Sequence, residues 1–163
     1  MRVRDIMSWR VQTLDERADL ELAEGLMAVL HIRHLPVVRD GRLVGLVTHR
    51  DLLAASLSPL AEPSADQHDH FKTTVPVRDI MRRNVETTTV DTDLRAALGQ
   101  MRSHRHGCLP VVDGEDRLVG IVTEADFLAL AQRVLDRASE LLPEAWATLA
   151  EVDEARLWTK PPD

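Results

Sequence analysis

Cysteine is nearly absent from this 163-residue chain, and aromatic residues are scarce. Because Cys108 is the single cysteine, no internal disulfide can form, and a reducing, cytoplasmic location is expected. For Cys108 itself, a small side chain in the core or in a pocket is favoured over a reactive thiol. Aromatic residues make up 3% of the chain and hydrophobic residues 44%, so the core is predicted to be aliphatic.

Positive charge and long apolar runs are also in short supply. Lys and Arg total 20 against 27 acidic residues, which gives a net charge of -7. Binding along a nucleic-acid backbone needs an excess of positive charge, so no nucleic-acid partner is expected. No apolar run approaches the roughly 20 residues that cross a bilayer, and the N-terminus lacks a signal-peptide pattern, so no membrane partner is expected.

What the chain does contain is a long internal repeat. Three motifs return in the same order, namely Val3–Met7 as Val77–Met81, Leu35–Val38 as Leu109–Val112, and Arg42–Thr48 as Arg117–Thr123. Alignment of residues 3–38 and 42–53 with 77–112 and 117–128 gives 24 identities in 48 positions. A fixed period of this length indicates two copies of one unit. Each copy would be marginal alone, so we expect the two to pack together.

Each copy is predicted to read strand, helix, strand, strand, helix. Alternating β-branched residues indicate first strands at Val11–Leu14 and Val85–Thr88. Apolar residues at three- and four-residue spacing then mark one face of a helix in each copy. These residues are Leu20, Ala23, Met27 and Leu30 in copy 1, and Leu94, Ala97, Leu98 and Met101 in copy 2. Asp19 and Asp93 stand near the helix starts, where acidic residues are favoured.

A β-hairpin and a second helix complete each copy. The hairpin strands are Leu35–Val38 with Leu43–Val47, and Leu109–Val112 with Leu118–Val122. Copy 2 contains one inserted residue, and it falls in the turn of the second hairpin. The second helices are predicted over 48–57 and 123–142. We divide the chain into unit 1 at 1–58, a linker at 59–74, unit 2 at 75–133 and a C-terminal helical extension at 134–163.

Two further segments, the linker and the C-terminal extension, contain residues with functional potential. The linker contains His68-Asp69-His70, but no third ligand stands at usable spacing, so no metal site is predicted. The extension is expected to form a second helix over 144–157 that contains Trp146. Its apolar residues either face a partner or pack back on the module or on a dimer mate.

Both copies end in Gly-x-x-Thr-x-x-Asp, which places Thr48 and Asp51, or Thr123 and Asp126, at a strand-to-helix junction. One interpretation is a capping box, in which both side chains accept free backbone N–H groups. Another is a ligand site, because a helix N-terminus attracts phosphate and a carboxylate accepts ribose hydroxyls. The leading glycine would allow a ligand or a second backbone to approach closely.

The Asp-Ile-Met opening, the Leu-Pro-Val-Val strand and the Gly-x-x-Thr-x-x-Asp ending, present twice in this order, resemble a tandem of cystathionine β-synthase (CBS) domains, or Bateman module. The resemblance covers about residues 1–130. It implies an α+β fold of two β-α-β-β-α units packed about a pseudo-two-fold axis. It also implies two clefts that commonly hold AMP, ADP, ATP or S-adenosylmethionine, although some members hold no ligand.

By this resemblance Asp51 and Asp126 would hold ribose hydroxyls, and Thr48 and Thr123 would contact phosphate or ribose. The adenine would lie in an apolar slot supplied by the opposite copy. The first cleft would therefore combine Thr48, His49, Arg50 and Asp51 with Val85, His106, Gly107 and Cys108. The second would combine Thr123 and Asp126 with Val11, Gln12, Ile32 and Arg33.

The two clefts are predicted to differ. The first motif carries His49 and Arg50, where the guanidinium favours a phosphate, whereas the second carries Glu124 and Ala125, where the carboxylate repels one. The first cleft is thus expected to prefer a phosphorylated ligand. Four histidines, His31, His34, His104 and His106, crowd the ends of the first helices. They are interpreted as partners of free helix carbonyls, with phosphate contact from one of them, Arg33 or Arg105 as the alternative.

These observations predict a stand-alone regulatory protein that binds an adenosine-containing nucleotide and signals to a protein target or through its own homodimer. The alternative is a ligand-free structural or dimerisation module in which the Thr-x-x-Asp motifs only cap helices. An enzyme is not expected, because the sequence offers no nucleophile with a matched base and no Gly-rich phosphate loop.

Overall fold

The computed structural model describes residues 1–56 and 75–141, and it divides into two compact units, Met1–Glu124 and Ala125–Asp163. The predicted linker, with its His-Asp-His run, and the helix predicted over 144–157 lie outside the described residues. Within the described part of the chain, no helix combines the length and the hydropathy needed to cross a membrane.

Copy 1 forms a three-stranded sheet with two helices. After a 3₁₀ turn at Val3–Asp5, its elements are β1 (Leu14–Asp15), α1 (Leu20–Leu30), β2 (His34–Arg39), β3 (Arg42–Thr48) and α2 (His49–Ser56). Strand β2 is central, parallel to β1 and antiparallel to β3. The predicted helix and hairpin of copy 1 are confirmed.

Copy 2 repeats this order. A 3₁₀ turn at Val77–Asp79 precedes α3 (Leu94–His104), β4 (Cys108–Val112), β5 (Leu118–Thr123) and α4 (Glu124–Leu141). The antiparallel hairpin β4–β5 is the counterpart of β2–β3. Asp19 and Asp93 are the N-caps of α1 and α3, where their side chains accept the N–H groups of Leu22 and Arg95. The α+β prediction is confirmed.

The predicted first strands are wrong for most of their length. Strand β1 has two residues, and in copy 2 Thr88 makes an isolated parallel bridge to Val111. The β-branched pattern has another physical origin. Val11 and Val85 pack against a cluster of Leu46, Cys108 and Ile121, which brings both copies together. These residues bury apolar surface without strand pairing.

The core is aliphatic, as the composition predicts. Helix α1 buries Leu20, Ala23 and Met27, and α3 buries the matching Leu94, Ala97 and Met101. The core around α1 also contains Val77 and Met81, which belong to copy 2. The opening segment of one copy therefore completes the core of the other.

Backbone hydrogen bonds fix this exchange in both directions. The N–H of Ser8 donates to the carbonyl of Ile121 at 2.9 Å, and Ile121 donates back at 3.0 Å. Arg82 and Leu46 make the same reciprocal pair at 2.9 and 3.0 Å. Since Ser8 and Arg82 occupy equivalent positions in the two copies, the contacts are related by a pseudo-two-fold axis.

Glycine is required where the two backbones meet. A Cβ placed on Gly120 would lie 2.9 Å from the carbonyl oxygen of Ser8, and one on Gly45 would lie 3.1 Å from that of Arg82. Both distances are shorter than an ordinary van der Waals contact. The glycine of each Gly-x-x-Thr-x-x-Asp motif thus admits the backbone of the opposite copy.

Helix α4 supplies the described part of the second compact unit. It has 18 residues against 8 in α2, so the predicted lengthening of the second helix in copy 2 is present. Its Leu128, Val134, Leu135 and Leu141 are exposed. Arg137 and Glu140 form an ion pair along its surface.

Candidate functional site

Both copies line one cavity of about 520 Å³, within the range of about 300–1,000 Å³ typical of small-molecule sites. Copy 1 supplies Arg33, His34, Leu46, Thr48, His49, Arg50 and Leu53. Copy 2 supplies Arg82, Asn84, Val85, Glu86, Arg105, His106, Gly107, Cys108 and Glu124. The cavity therefore exists because the two copies are packed together.

Left-handed helix ends bring two of the lining segments into place. His31, the C-cap of α1, has φ 53°, and Arg105, the C-cap of α3, has φ 55°. After each end, the next N–H donates back to the helix, from Ile32 to Met27 at 3.1 Å and from His106 to Met101 at 2.9 Å. This reversal closes the helix end and sets the following residues at the start of a strand.

The start of α2 is closed by a capping box. The N–H of Asp51 donates to Thr48 Oγ1 at 3.3 Å, and the N–H of Thr48 donates to Asp51 Oδ2 at 2.9 Å. The Thr48 hydroxyl donates to the same Oδ2 at 2.6 Å. The geometry of Thr48 and Asp51 therefore matches the capping interpretation of this motif.

Asp51 also makes a bond between the copies. Arg82 donates to Asp51 Oδ1 through Nε at 3.2 Å and through Nη2 at 3.1 Å. Oδ1 thus faces Arg82, while Oδ2 serves the cap. A ligand hydroxyl that binds this carboxylate would have to exchange with the guanidinium.

The cavity concentrates positive charge in an acidic protein. Four arginines, Arg33, Arg50, Arg82 and Arg105, line it together with two acids, Glu86 and Glu124, which gives a formal charge of +2 with histidines neutral. Burial and the nearby charge of Arg33 lower the pKa of His34, against the opposing charge of Glu124. The balance favours an anion.

The floor of the cavity is apolar. Leu46 and Cys108 are buried, and Val85 packs against them. Burial raises the pKa of the Cys108 thiol to about 12, so Cys108 is a neutral, small floor residue. Gly107 leaves room for the imidazole of His34, because a Cβ there would lie 3.0 Å from His34 Nε2.

The structure brings together most of the first predicted set. Thr48, His49 and Arg50 line the cavity with Val85, His106, Gly107 and Cys108. Asp51 stands next to them, joined to Thr48 and Arg82.

The members of the second predicted set belong to several different elements. Arg33 lies in the first cavity, because its neighbour His34 is paired with Thr48 in the β2–β3 ladder. Ile32 packs against the core of copy 1, and Gln12 is exposed. Val11 lines a cavity of about 200 Å³, Thr123 pairs with Cys108 in the β4–β5 ladder, and Asp126 belongs to α4.

Several lining residues were missed at the level of sequence. They are Leu46, Leu53, Arg82, Asn84, Glu86 and, for this cavity, Glu124. Two of them carried a readable signal, because Arg82 and Glu86 replace the Ser8 and Gln12 of copy 1. Differences between otherwise matched copies mark the places where charge was added to the cavity.

Comparisons with known proteins agree with this geometry. The CBS domain family model matches residues 3–58 and 77–133. A CBS domain-containing protein of Dictyostelium discoideum is 35% identical over 136 residues, which cover 82% of this chain and 93% of that protein. A homoserine O-acetyltransferase of Methanosphaera stadtmanae is 33% identical over 133 residues, 81% of this chain. The present chain spans 24% of that relative's length.

Solved structures show the same fold. The CBS domain pair of protein MJ0100, in complex with 5-methylthioadenosine and S-adenosyl-L-methionine, superposes with a TM-score of 0.68 at 30% identity, covering 81% of this chain and 96% of that one. CBSX2 of Arabidopsis thaliana, in complex with AMP, has a TM-score of 0.70 at 25% identity, covering 82% and 97%. The chain therefore belongs to the CBS domain family, as a tandem pair of CBS domains.

Proposed function

We propose that the cavity between the copies binds a phosphorylated adenosine ligand of the AMP, ADP or ATP class. The observation that carries this proposal is the set of four arginines around an apolar floor in a chain of net charge -7. A guanidinium donates two parallel hydrogen bonds to phosphate oxygens, and an apolar slot accepts the face of a purine.

The ligand's groups can be assigned to parts of the cavity. The adenine would rest on the floor formed by Leu46, Val85 and Cys108. The phosphate would lie at the start of α2 beside Arg50, where the helix dipole adds to the arginine charge. The ribose hydroxyls would bind Asp51 in exchange for Arg82.

The two structural relatives support an adenosine ligand and differ in its charge. CBSX2 binds AMP, while MJ0100 binds 5-methylthioadenosine and S-adenosyl-L-methionine. S-adenosylmethionine carries a positive sulfonium group, which the four arginines would repel. We therefore place AMP and its polyphosphates ahead of S-adenosylmethionine for this chain.

A regulatory role follows from the position of the cavity. Nucleotide binding that exchanges the Arg82–Asp51 contact would change how the copies pack, and a ligand that prefers one packing shifts the equilibrium towards it. We propose that this cytoplasmic protein signals such a shift to a protein target or through a homodimer, without catalysis of its own.

Apolar side chains on the outside of copy 1 support the homodimer. Leu22 and Val29 of α1 are 51% and 77% exposed. A second copy of the chain would cover this surface. Sedimentation should show a dimer that Val29→Lys converts to monomer; a wild-type monomer at all concentrations would contradict the dimer.

The capping box favours one alternative, a structural module without ligand. In that case Asp51 would only close α2 and hold Arg82. Three variants separate the two proposals. Asp51→Ala removes the cap and the cavity carboxylate, Asp126→Ala removes the matching motif residue of copy 2, and Asp19→Ala removes a helix cap of α1 that is not a cavity residue.

The experiment is titration calorimetry of AMP and ATP into the wild type and these variants. We expect Asp51→Ala to weaken binding by about tenfold or more, and Asp19→Ala to retain binding while losing about 1 kcal/mol of stability. Equal losses in Asp51→Ala and Asp126→Ala would end the proposed difference between the clefts. No thermal shift with any adenosine ligand would favour the structural module.

A further inference from the structure

We propose that Glu86, His104 and His106 form a binding site for a divalent transition-metal ion, with Zn²⁺ as the best match. Each residue offers one ligand atom, and the three atoms lie within 4.8 Å of one another. His104 Nδ1 lies 3.1 Å from Glu86 Oε1, and His106 Nε2 lies 3.8 Å from Glu86 Oε2. Two imidazoles and a carboxylate are a common protein donor set for zinc.

The donor atoms need only small movements to bind an ion. Tetrahedral zinc with bonds of about 2.0–2.1 Å holds its ligand atoms somewhat more than 3 Å apart, closer than the widest separation here. The His104 side chain is 55% exposed and can turn towards the other two without disturbing a packed core. Three protein ligands leave a fourth position for water or another small ligand.

The backbone already directs both histidines to one side. His104 is the last residue of α3, Arg105 adopts the left-handed conformation, and His106 follows directly. The two imidazole rings stack with their centroids 5.7 Å apart and an interplanar angle of 27°. Both rings face Glu86. The two histidines therefore contact a carboxylate, whereas the sequence predicted that they contact free helix carbonyls.

A neighbouring side chain fixes the carboxylate. Gln100, one turn before His104 on α3, donates to Glu86 Oε2 at 3.1 Å and to the carbonyl of Thr87 at 3.3 Å. Outer hydrogen bonds of this kind hold metal ligands in place and contribute to affinity. Oε1 of Glu86 faces His104 and is placed to bind the ion.

The site belongs to copy 2 alone. The equivalents of Glu86, His104 and His106 in copy 1 are Gln12, Leu30 and Ile32, and none of these three is a zinc ligand in common protein sites. All three donors therefore appear at positions where the copies differ. Glu86 and His106 also line the large cavity, so the ion would bind at its edge, but metal binding itself does not depend on nucleotide.

The test is titration of Zn²⁺ into the full chain, without a histidine tag and freed of metal by a chelator, in the absence of nucleotide. We expect one Zn²⁺ ion to bind tightly to each chain. His104→Ala and Glu86→Gln should each weaken this binding by about tenfold or more. Because the linker histidines can bind metal too, His68→Ala/His70→Ala is the first control, and His31→Ala, at the matching helix end of copy 1, is the second.

Both control variants should retain the tightly bound ion. Co²⁺ in place of Zn²⁺ gives an independent readout, since its visible absorption should report nitrogen and oxygen ligands in the wild type and should be lost in His104→Ala. The proposal is overturned if the wild type binds no Zn²⁺. It is also overturned if the tight binding disappears in His68→Ala/His70→Ala and persists in both His104→Ala and Glu86→Gln.

Discussion

Arg82 of copy 2 donates two hydrogen bonds, at 3.2 and 3.1 Å, to Oδ1 of Asp51 in copy 1. The other carboxylate oxygen of Asp51 accepts the N–H and the hydroxyl of Thr48 at 2.9 and 2.6 Å. One side chain thus closes helix α2 and joins the two copies beside the cavity. The Asp51 side chain is 14% exposed and the Arg82 side chain 56% exposed, so the carboxylate end of the pair is shielded from water and the guanidinium end is not.

A double-mutant cycle should detect this pair in the free energy of unfolding. Asp51→Asn and Arg82→Met are made singly and together, and the three variants are unfolded in urea. We expect a coupling of about 1 kcal/mol, since the pair is half-buried and doubly hydrogen-bonded. Strictly additive losses would show that the contact contributes nothing to the packing of the copies.

Alanine at the motif glycines should destabilise the protein. In Gly120→Ala the new Cβ would meet the backbone carbonyl of Ser8 at 2.9 Å, and in Gly45→Ala that of Arg82 at 3.1 Å. We expect losses of about 1–3 kcal/mol, because a backbone carbonyl cannot move aside easily, and a larger loss for Gly120→Ala because its contact is the shorter one. Urea unfolding measures both.

Gly99→Ala is the matched control for these variants. Gly99 lies inside α3, and a Cβ there would meet no atom within 4 Å. Because alanine loses less backbone entropy than glycine in a helix, this change should raise stability by about 0.5–1 kcal/mol. A loss in Gly99→Ala equal to that in Gly120→Ala would refute the proposed role of close backbone approach.

Acid should weaken the fold through Glu16. Arg39 donates to Glu16 Oε1 at 2.7 Å, and this hydrogen bond, against the opposing effect of burial, lowers the pKa of the carboxyl below its ordinary value. A carboxyl with a lowered pKa in the folded state stabilises it above the unfolded pKa, and that contribution disappears as the pH falls through the folded pKa.

Glu16→Gln should therefore be less stable than wild type at neutral pH, with a difference that shrinks on acidification. Arg39→Met should behave in the same way, because it removes the other half of the pair. Urea unfolding of the three proteins at neutral and acid pH measures the difference. A difference in the free energy of unfolding between wild type and Glu16→Gln that stays constant with pH would be inconsistent with a lowered pKa of Glu16.

Cys108 should resist thiol reagents in the folded protein. It is 4% exposed, and burial raises its pKa to about 12, so little thiolate exists at neutral pH. We expect a disulfide reagent to label Cys108 quickly in urea and slowly in buffer, at a rate that follows unfolding. Rapid labelling of the native protein would mean that the cavity floor is open to solvent.

The repeat in the sequence was enough to predict helices α1 to α4, the two hairpins and the packing of the copies against each other. Leu20, Ala23 and Met27 show helical spacing, and the hairpin β2–β3 is marked by Asp40-Gly41, so local patterns decided these elements. The first strands predicted to begin at Val11 and Val85 were wrong, because apolar packing between the copies produces the same alternation of residues as strand pairing.

The cavity was predictable only in part. The motif residues Thr48 to Arg50 could be predicted as cavity residues because the Gly-x-x-Thr-x-x-Asp motif occurs in both copies. Arg82 and Glu86 reach the cavity through the exchange of opening segments, and no local pattern encodes which copy a segment will pack on. The partner of Asp51 is for the same reason a property of the tertiary structure.

The most direct measurement of the central claim is calorimetric titration of AMP, with adenosine as the paired ligand, into the full chain. The two ligands differ only in the phosphate that the cavity arginines would bind. We expect AMP to bind at least about tenfold more tightly than adenosine, with an advantage that declines as salt is added. Equal affinities, or no heat from either ligand, would contradict the account.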